Sequence, residues 1–245
     1  MLYSVRELTG FAVHATDGDV GEVADLYFDD QEWTIRYLVV NTGAWLLGRS
    51  VLLAPLCIDI VRWHVRELDV DLTREQVESG PEVDLAKPVS RQKEADLHRY
   101  YGWAPYWDAG ARVLTAAQVQ AMAMSEDESK QDPHLRSGRE VIGYHIQATD
   151  GEIGHVADFF VEATSWTIRY ALVDTRNWLP SRKVLIGQQW LCGVDWAEST
   201  ACVDLSRKQI EQSPRYNPDR PIAHSYEIEL HEHYGIPGYW MQSPL

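Results

Sequence analysis

The sequence predicts a mainly β protein made of two tandem small antiparallel β-barrels, each followed by short C-terminal helices. Three observations predict it. Residues 2–112 reappear at 135–245, displaced by a constant 133 with no gap: Ser4, Arg6, Glu7 and Gly10 return as Ser137, Arg139, Glu140 and Gly143, and Trp33-Thr34-Ile35-Arg36-Tyr37 returns as Trp166-Thr167-Ile168-Arg169-Tyr170. Each copy opens with closely spaced segments of strand length separated by turn residues, the pattern of an antiparallel sandwich or barrel rather than a βαβ fold. Helix-start signals come only after those strands. Closure into a barrel would remove edge strands that otherwise invite aggregation. The repeat places one domain at 1–112, a linker at 113–134 and a second domain at 135–245.

In the first copy, Phe11–Ala15 runs into Thr16-Asp17-Gly18, where Asp-Gly suits a tight hairpin. Glu22–Phe28 follows, then a turn at Asp29-Asp30-Gln31-Glu32 and the β-branched and aromatic segment Trp33–Val40. Arg49–Leu53, Cys57–Val61 and Glu67–Asp71 complete about six strands, with Pro55 breaking the chain between the first two of these. Thr73-Arg74-Glu75-Gln76 and Ser206-Arg207-Lys208-Gln209 fit capping boxes at the start of short helices. A second helix is predicted over Arg91–Tyr100 and His224–His233, ending at Gly102 and Gly235. Thr115–Met124 has helix-forming composition, and the polar stretch Ser125–Pro133 reads as a flexible linker.

Lys+Arg 22 against Asp+Glu 37 gives a net charge of −15. That charge opposes a phosphate backbone and an anionic membrane surface, so direct nucleic-acid or membrane binding is not expected. Cys57, Cys192 and Cys202 are odd in number, lack CxxC spacing and are not duplicated as a pair. They read as reduced, packed thiols of a cytosolic protein. No apolar core of signal-peptide length opens the chain and no run is long enough to span a membrane, so a cytoplasmic location is expected.

A turn centred on Asp30-Gln31 sets Asp25 across from Arg36, and the equivalent turn sets Asp158 across from Arg169. Opposite charges directly across a hairpin stabilise it by about 0.2–1 kcal/mol, and we read both as structural pairs. Cys57 has His64 nearby, but no activating arrangement is legible and a packed thiol is expected. His224, Glu227 and His231 share a helical stripe; His224 and His231 lie two turns apart, roughly 10 Å, too far to share one ion. An exposed Glu227–His231 pairing is expected instead. No metal, cofactor or catalytic residue is assigned. The aromatic tails stand apart: Tyr101, Trp103, Tyr106 and Trp107 in one copy, Tyr234, Tyr239 and Trp240 in the other. Trp and Tyr dominate interface hot spots, so these seven form the candidate interaction surface; the alternative is that each tail packs over a barrel.

The ordered series Leu8-Thr9-Gly10, Asp17-Gly18-Asp19-Val20-Gly21-Glu22-Val23-Ala24-Asp25, Trp33–Asn41, Trp45 and Pro55 resembles the PRC-barrel family. So does Asp150-Gly151-Glu152-Ile153-Gly154-His155-Val156-Ala157-Asp158, followed by Trp166–Asp174, Trp178 and the later Pro214-Arg215-Tyr216. The first copy departs at Pro81-Glu82-Val83, and Gln188 stands where the first copy has Pro55. The family is named for the cytoplasmic barrel of the photosynthetic reaction-centre H subunit and also forms the C-terminal domain of a ribosome maturation factor. The resemblance implies two small barrels and no shared catalytic set. The leading expectation is a non-enzymatic scaffold or adaptor that binds a protein partner and self-associates as a homodimer. One alternative is an accessory of an electron-transfer complex similar to the H subunit. The other is a small-molecule binder or enzyme with a site between the barrels, where the unduplicated His145, His155 and Cys192 would be the discriminating residues.

Overall fold

The computed structural model describes residues 1–83, 89–108, 134–175 and 182–241. The predicted helix Thr115–Met124, the linker 125–133 and Trp178 lie outside them. The described chain forms two compact units, and neither coincides with one repeat. The first unit holds residues 9–31 and 36–136; the second holds 1–8, 32–35 and 137–245. This differs from domains cut at 1–112 and 135–245. Each unit takes its leading strand from the other repeat.

The first unit is built on β2 (Ala12–Ala15), β3 (Gly18–Asp29), β4 (Thr34–Asn41), β5 (Ser50–Leu53), β6 (Ile58–Arg62) and β7 (Glu67–Val70), ordered β5-β4-β3-β2-β7-β6, with β8 (Leu135–Ser137) added on β3. The second unit repeats this with β9 (His145–Ala148), β10 (Gly151–Glu162), β11 (Ile168–Asp174), β12 (Lys183–Gly187), β13 (Leu191–Asp195) and β14 (Thr200–Val203), ordered β12-β11-β10-β9-β14-β13, and with β1 (Leu2–Ser4) on β10. The pairs β2–β7 and β9–β14 are parallel. The mainly β class with trailing helices therefore holds in both units. The ladders do not close: β5 and β6, and likewise β12 and β13, are the two ends of their sheets. A three-residue 3-10 turn, Pro55–Cys57 or Gln188–Trp190, separates the strands that closure would have to join. A helix packs there instead. In the first unit, Leu97 of α3 (Arg91–Tyr101) joins Leu52 and Ala54 in one buried cluster with Tyr37, Val39, Val89 and Leu135. Leu135 belongs to the second repeat, so the core of the first unit is completed from outside its own repeat.

Local chemistry explains the elements. The side-chain oxygen of Asp17 in the Asp-Gly turn accepts the Arg74 N–H at 2.7 Å, and Asp150 accepts that of Arg207 at 2.7 Å. These bonds satisfy the first N–H of α2 (Arg74–Glu78) and α4 (Arg207–Glu211), whose Thr73/Gln76 and Ser206/Gln209 capping boxes are both complete. The helix α3 and its counterpart α5 (His224–Tyr234) end at Gly102 and Gly235 with φ of 72° and 67°. Gly21 (φ 156°) lets β3 approach the backbone of β4 closely, because a Cβ there would overlap the Asn41 carbonyl; Gly154 stands in the same relation to Asp174.

Two expectations are corrected. Trp33 and Trp166 adopt φ near +55° (55° and 56°) at the ends of turns longer than two residues. Asp158 then lies across from Leu172 rather than Arg169, with register shifts beside Ala157 and Arg169. Arg169 pairs with Glu162 at 2.6 Å, and Arg36 with Asp29 at 3.5 Å. Burial raises the Glu162 carboxyl pKa, but the hydrogen bonds from Arg169 and Ser165 outweigh it and hold it below the usual range. Asp158 instead anchors β1: Ser4 Oγ donates to its Oδ2 at 2.5 Å and the Arg6 N–H to its Oδ1 at 3.1 Å. Finally, Cys192 and Cys202 form a disulfide between β13 and β14, so the reduced-thiol reading fails for that pair and with it the compartment argument. The corresponding hairpin of the first unit is pinned by Arg62 on Asp69 and Glu67.

Two outcomes follow. Gly154→Ala is expected to destabilise the second unit by about 2–4 kcal/mol, from positive φ and backbone overlap together, read by urea unfolding. Burial raises the Asp158 carboxyl pKa against the opposing hydrogen bonds of Ser4 and Arg6. A raised acid contributes stability that is present below about pH 4, the unfolded value, and is lost as pH rises through the folded value. Measured against Asp158→Asn, wild-type stability should therefore fall with rising pH across that window; a constant difference would contradict it.

Candidate functional site

The most concentrated polar chemistry lies under the tails, and it occurs twice. In the first unit β4 supplies Tyr37, α3 supplies Glu94 and His98 one turn apart on one face, and the tail returns Tyr106. Tyr37 and Glu94 are fully buried. The Tyr37 hydroxyl lies 3.2 Å from Glu94 Oε1 and 3.0 Å from His98 Nε2, and Tyr106 donates to Glu94 Oε1 at 2.5 Å. His98 Nδ1 is 3.1 Å from the Ala104 carbonyl, which can only accept, so that nitrogen carries a proton. The second unit repeats the arrangement with Tyr170, Glu227, His231 and Tyr239: 3.2 Å for Tyr170–Glu227, 3.0 Å for Tyr170–His231, 2.8 Å for Tyr239–Glu227 and 3.0 Å from His231 to the Ile236 carbonyl.

Burial lowers both histidine pKa values and raises those of Tyr37 and Tyr170. A neutral His98, protonated at Nδ1, presents an accepting Nε2 to Tyr37. The tyrosine has one proton and two neighbours that want it, so the trio has two hydrogen-bonded arrangements that differ in where that proton sits. The surroundings of the carboxylate differ between units. Arg91 lies 3.0 Å and His134 2.7 Å from Glu94 Oε2, while His224 stands 3.4 Å from Glu227. His134 precedes β8, so the strand taken from the second repeat also closes this cluster. The Glu227–His231 pair, expected to be exposed, is buried because Tyr170 bridges both side chains.

The seven aromatic residues of the candidate interaction surface divide accordingly. Tyr106 and Tyr239 turn their hydroxyls inward, beneath the guanidinium groups of Arg36 (3.8 Å from the ring centroid) and Arg169 (4.1 Å). Trp107 and Trp240 set their rings on His98 and His231, each at 4.9 Å between centroids. Tyr101 stacks on Trp103 at 4.4 Å, and Tyr234 is buried against Trp190. Each tail thus packs over its own unit, the alternative the sequence left open. Of the cysteines, Cys57 is buried with its thiol pushed up to about 12 and donating to the Ala54 carbonyl, which leaves no thiolate for chemistry. No three His, Cys, Asp or Glu side chains among the described residues are placed to hold a metal ion.

The surface feature that sequence reasoning missed is the loop after β4. Trp45 Nε1 donates to the Val20 carbonyl at 2.5 Å under the Arg74 guanidinium, which pins a 3-10 turn at Gly43–Leu46. Leu47 follows with φ 53° and is 98% exposed, beside a hollow of about 860 Å³ lined by Trp45, Glu78, Glu82 and Lys93. Leu56, just before the edge strand β6, and Ile60, within it, are also exposed. The signal available in the sequence was Trp-Leu-Leu between two glycines.

With fold and site in view, the comparison with known families is direct. Residues 1–76 match the PRC-barrel domain. The matched stretch covers the strands of the first repeat, and the second repeat, residues 135–203, carries the same strand order, in keeping with a duplicated domain. No curated protein matches the chain. No helix among the described residues is long and apolar enough to cross a membrane.

Tyr37→Phe should leave His98 Nε2 and Glu94 each short of a partner and destabilise the first unit by about 1–3 kcal/mol. Tyr170→Phe should do the same in the second unit. Urea unfolding followed by tryptophan fluorescence measures both.

Proposed function

We propose that this chain is a non-enzymatic protein-interaction scaffold built on two PRC-barrel units, and that Leu47, with Leu56 and Ile60, is what it offers to a partner. The observation that supports this reading is the pinned loop. An apolar side chain held almost fully exposed by an anchored tryptophan and a left-handed backbone contributes little to its own core. A rigid apolar side chain beside a hollow is the form a binding anchor takes. The polar clusters under the tails argue the same way. They recur in both units with their hydrogen bonds directed inward, as residues needed by the fold would.

Affinity purification of the tagged full-length chain from its native host is the test. Partner recovery should fall with Leu47→Asp, by about tenfold or more in affinity (about 1.4 kcal/mol), at an unchanged circular dichroism spectrum. Recovery indifferent to Leu47, Leu56 and Ile60 would count against this surface. Robust turnover of a hydrolase or oxidoreductase substrate, abolished by one substitution, would end the non-enzymatic reading.

A further inference from the structure

The edge of β10 that receives β1 is a strand-acceptor site, and we infer that its second occupant is the same strand from another copy of this chain. Leu2, Tyr3 and Ser4 pair with Glu162, Val161 and Phe160. Ser4 and the Arg6 N–H bind Asp158, the Met1 carbonyl accepts the Ala163 N–H, and α1 (Val5–Leu8) buries Val5 and Leu8 in the same unit. At Thr9 the chain passes into the other unit. The segment 1–8 is thus joined to its acceptor by pairing and burial, while its covalent continuation lies in a different compact unit.

The acceptor recognises the chemistry of the segment and not its connectivity. The first unit shows this: its β3 takes Leu135-Arg136-Ser137, with the Asp30 N–H donating to the His134 carbonyl at 2.9 Å just as Ala163 does to Met1. Two donor segments of one pattern, Leu-x-Ser-x-Arg-Glu, serve two acceptors of one pattern. A donor arriving from a second copy would form every one of these bonds, so the exchanged and unexchanged forms differ mainly in effective concentration. Exchange of an identical element between protomers is a low-cost route to a dimer. The dimer keeps each unit complete and uses no surface beyond those described.

The test traps the register pair Tyr3–Val161 in the full-length chain carrying Tyr3→Cys and Val161→Cys. Light- and heavy-nitrogen-labelled preparations are mixed in denaturant, refolded over a dilution series, oxidised and digested. The peptide linked through positions 3 and 161 is then weighed. The inference requires same-isotope links at high dilution and mixed-isotope links rising with concentration, in a dimer fraction separated by size. Same-isotope links at every concentration overturn it. So does the absence of any 3–161 link in chains with the wild-type circular dichroism spectrum. Leu2→Cys with Glu162→Cys, the neighbouring register pair, repeats the measurement should the first variant misfold.

Discussion

A buried carboxylate organises each unit. Glu94 and Glu227 sit where water does not reach, and a carboxylate there must be met by donors or be expelled. Meeting that demand brings together a strand tyrosine, a helix histidine and a tail tyrosine that share no local sequence. Once the hydroxyl of Tyr106 is committed to Glu94, the tail has one direction in which to run, and Trp107 falls on His98. In the first unit the same carboxylate takes His134, so the incoming strand is held at its start by a side-chain hydrogen bond as well as by its ladder. The second unit has Met1 at that place and relies on Asp158 and Ser4.

Much of the fold was legible because it depends on local rules. Asp-Gly turns, capping boxes and glycines at helix ends act over a few residues, and each lies where the pattern placed it. What failed depends on contacts that periodicity does not carry. The partner of Arg169 changed from Asp158 to Glu162 because a turn of four residues rather than two, and the register shift between Phe160 and Val161, are invisible in an alternating pattern. The disulfide joins positions ten apart on adjacent strands, which no spacing rule marks. Exchange of the leading strands was hidden for a deeper reason. With two copies nearly alike in donor and acceptor, pairing within a copy and pairing across copies fit the sequence equally well.

The inward packing of the aromatic tails escaped the sequence for a related cause. Tyrosine and tryptophan were read as contact area, whereas part of their value here is polar: hydroxyls that hydrogen-bond a buried carboxyl group, and indoles that cover a histidine. The exposed group is a leucine in a short loop. Its exposure follows from the hydrogen bond of Trp45 to Val20 and from a backbone conformation that the identity of Leu47 does not announce.

The crossed membership of the units also sets an order of events on the ribosome. The first unit cannot complete its sheet until Leu135 and Arg136 have emerged. Ser4 waits for Asp158, 154 positions later. At about 5–20 residues per second, the segment carrying Ser4 spends roughly 8–30 s without its acceptor. Contacts so distant in sequence close late and slowly. Until then Leu2–Ser4 has no β10 to pair with, so polysome crowding and chaperone access during synthesis bear on how much of the chain reaches its native pairing.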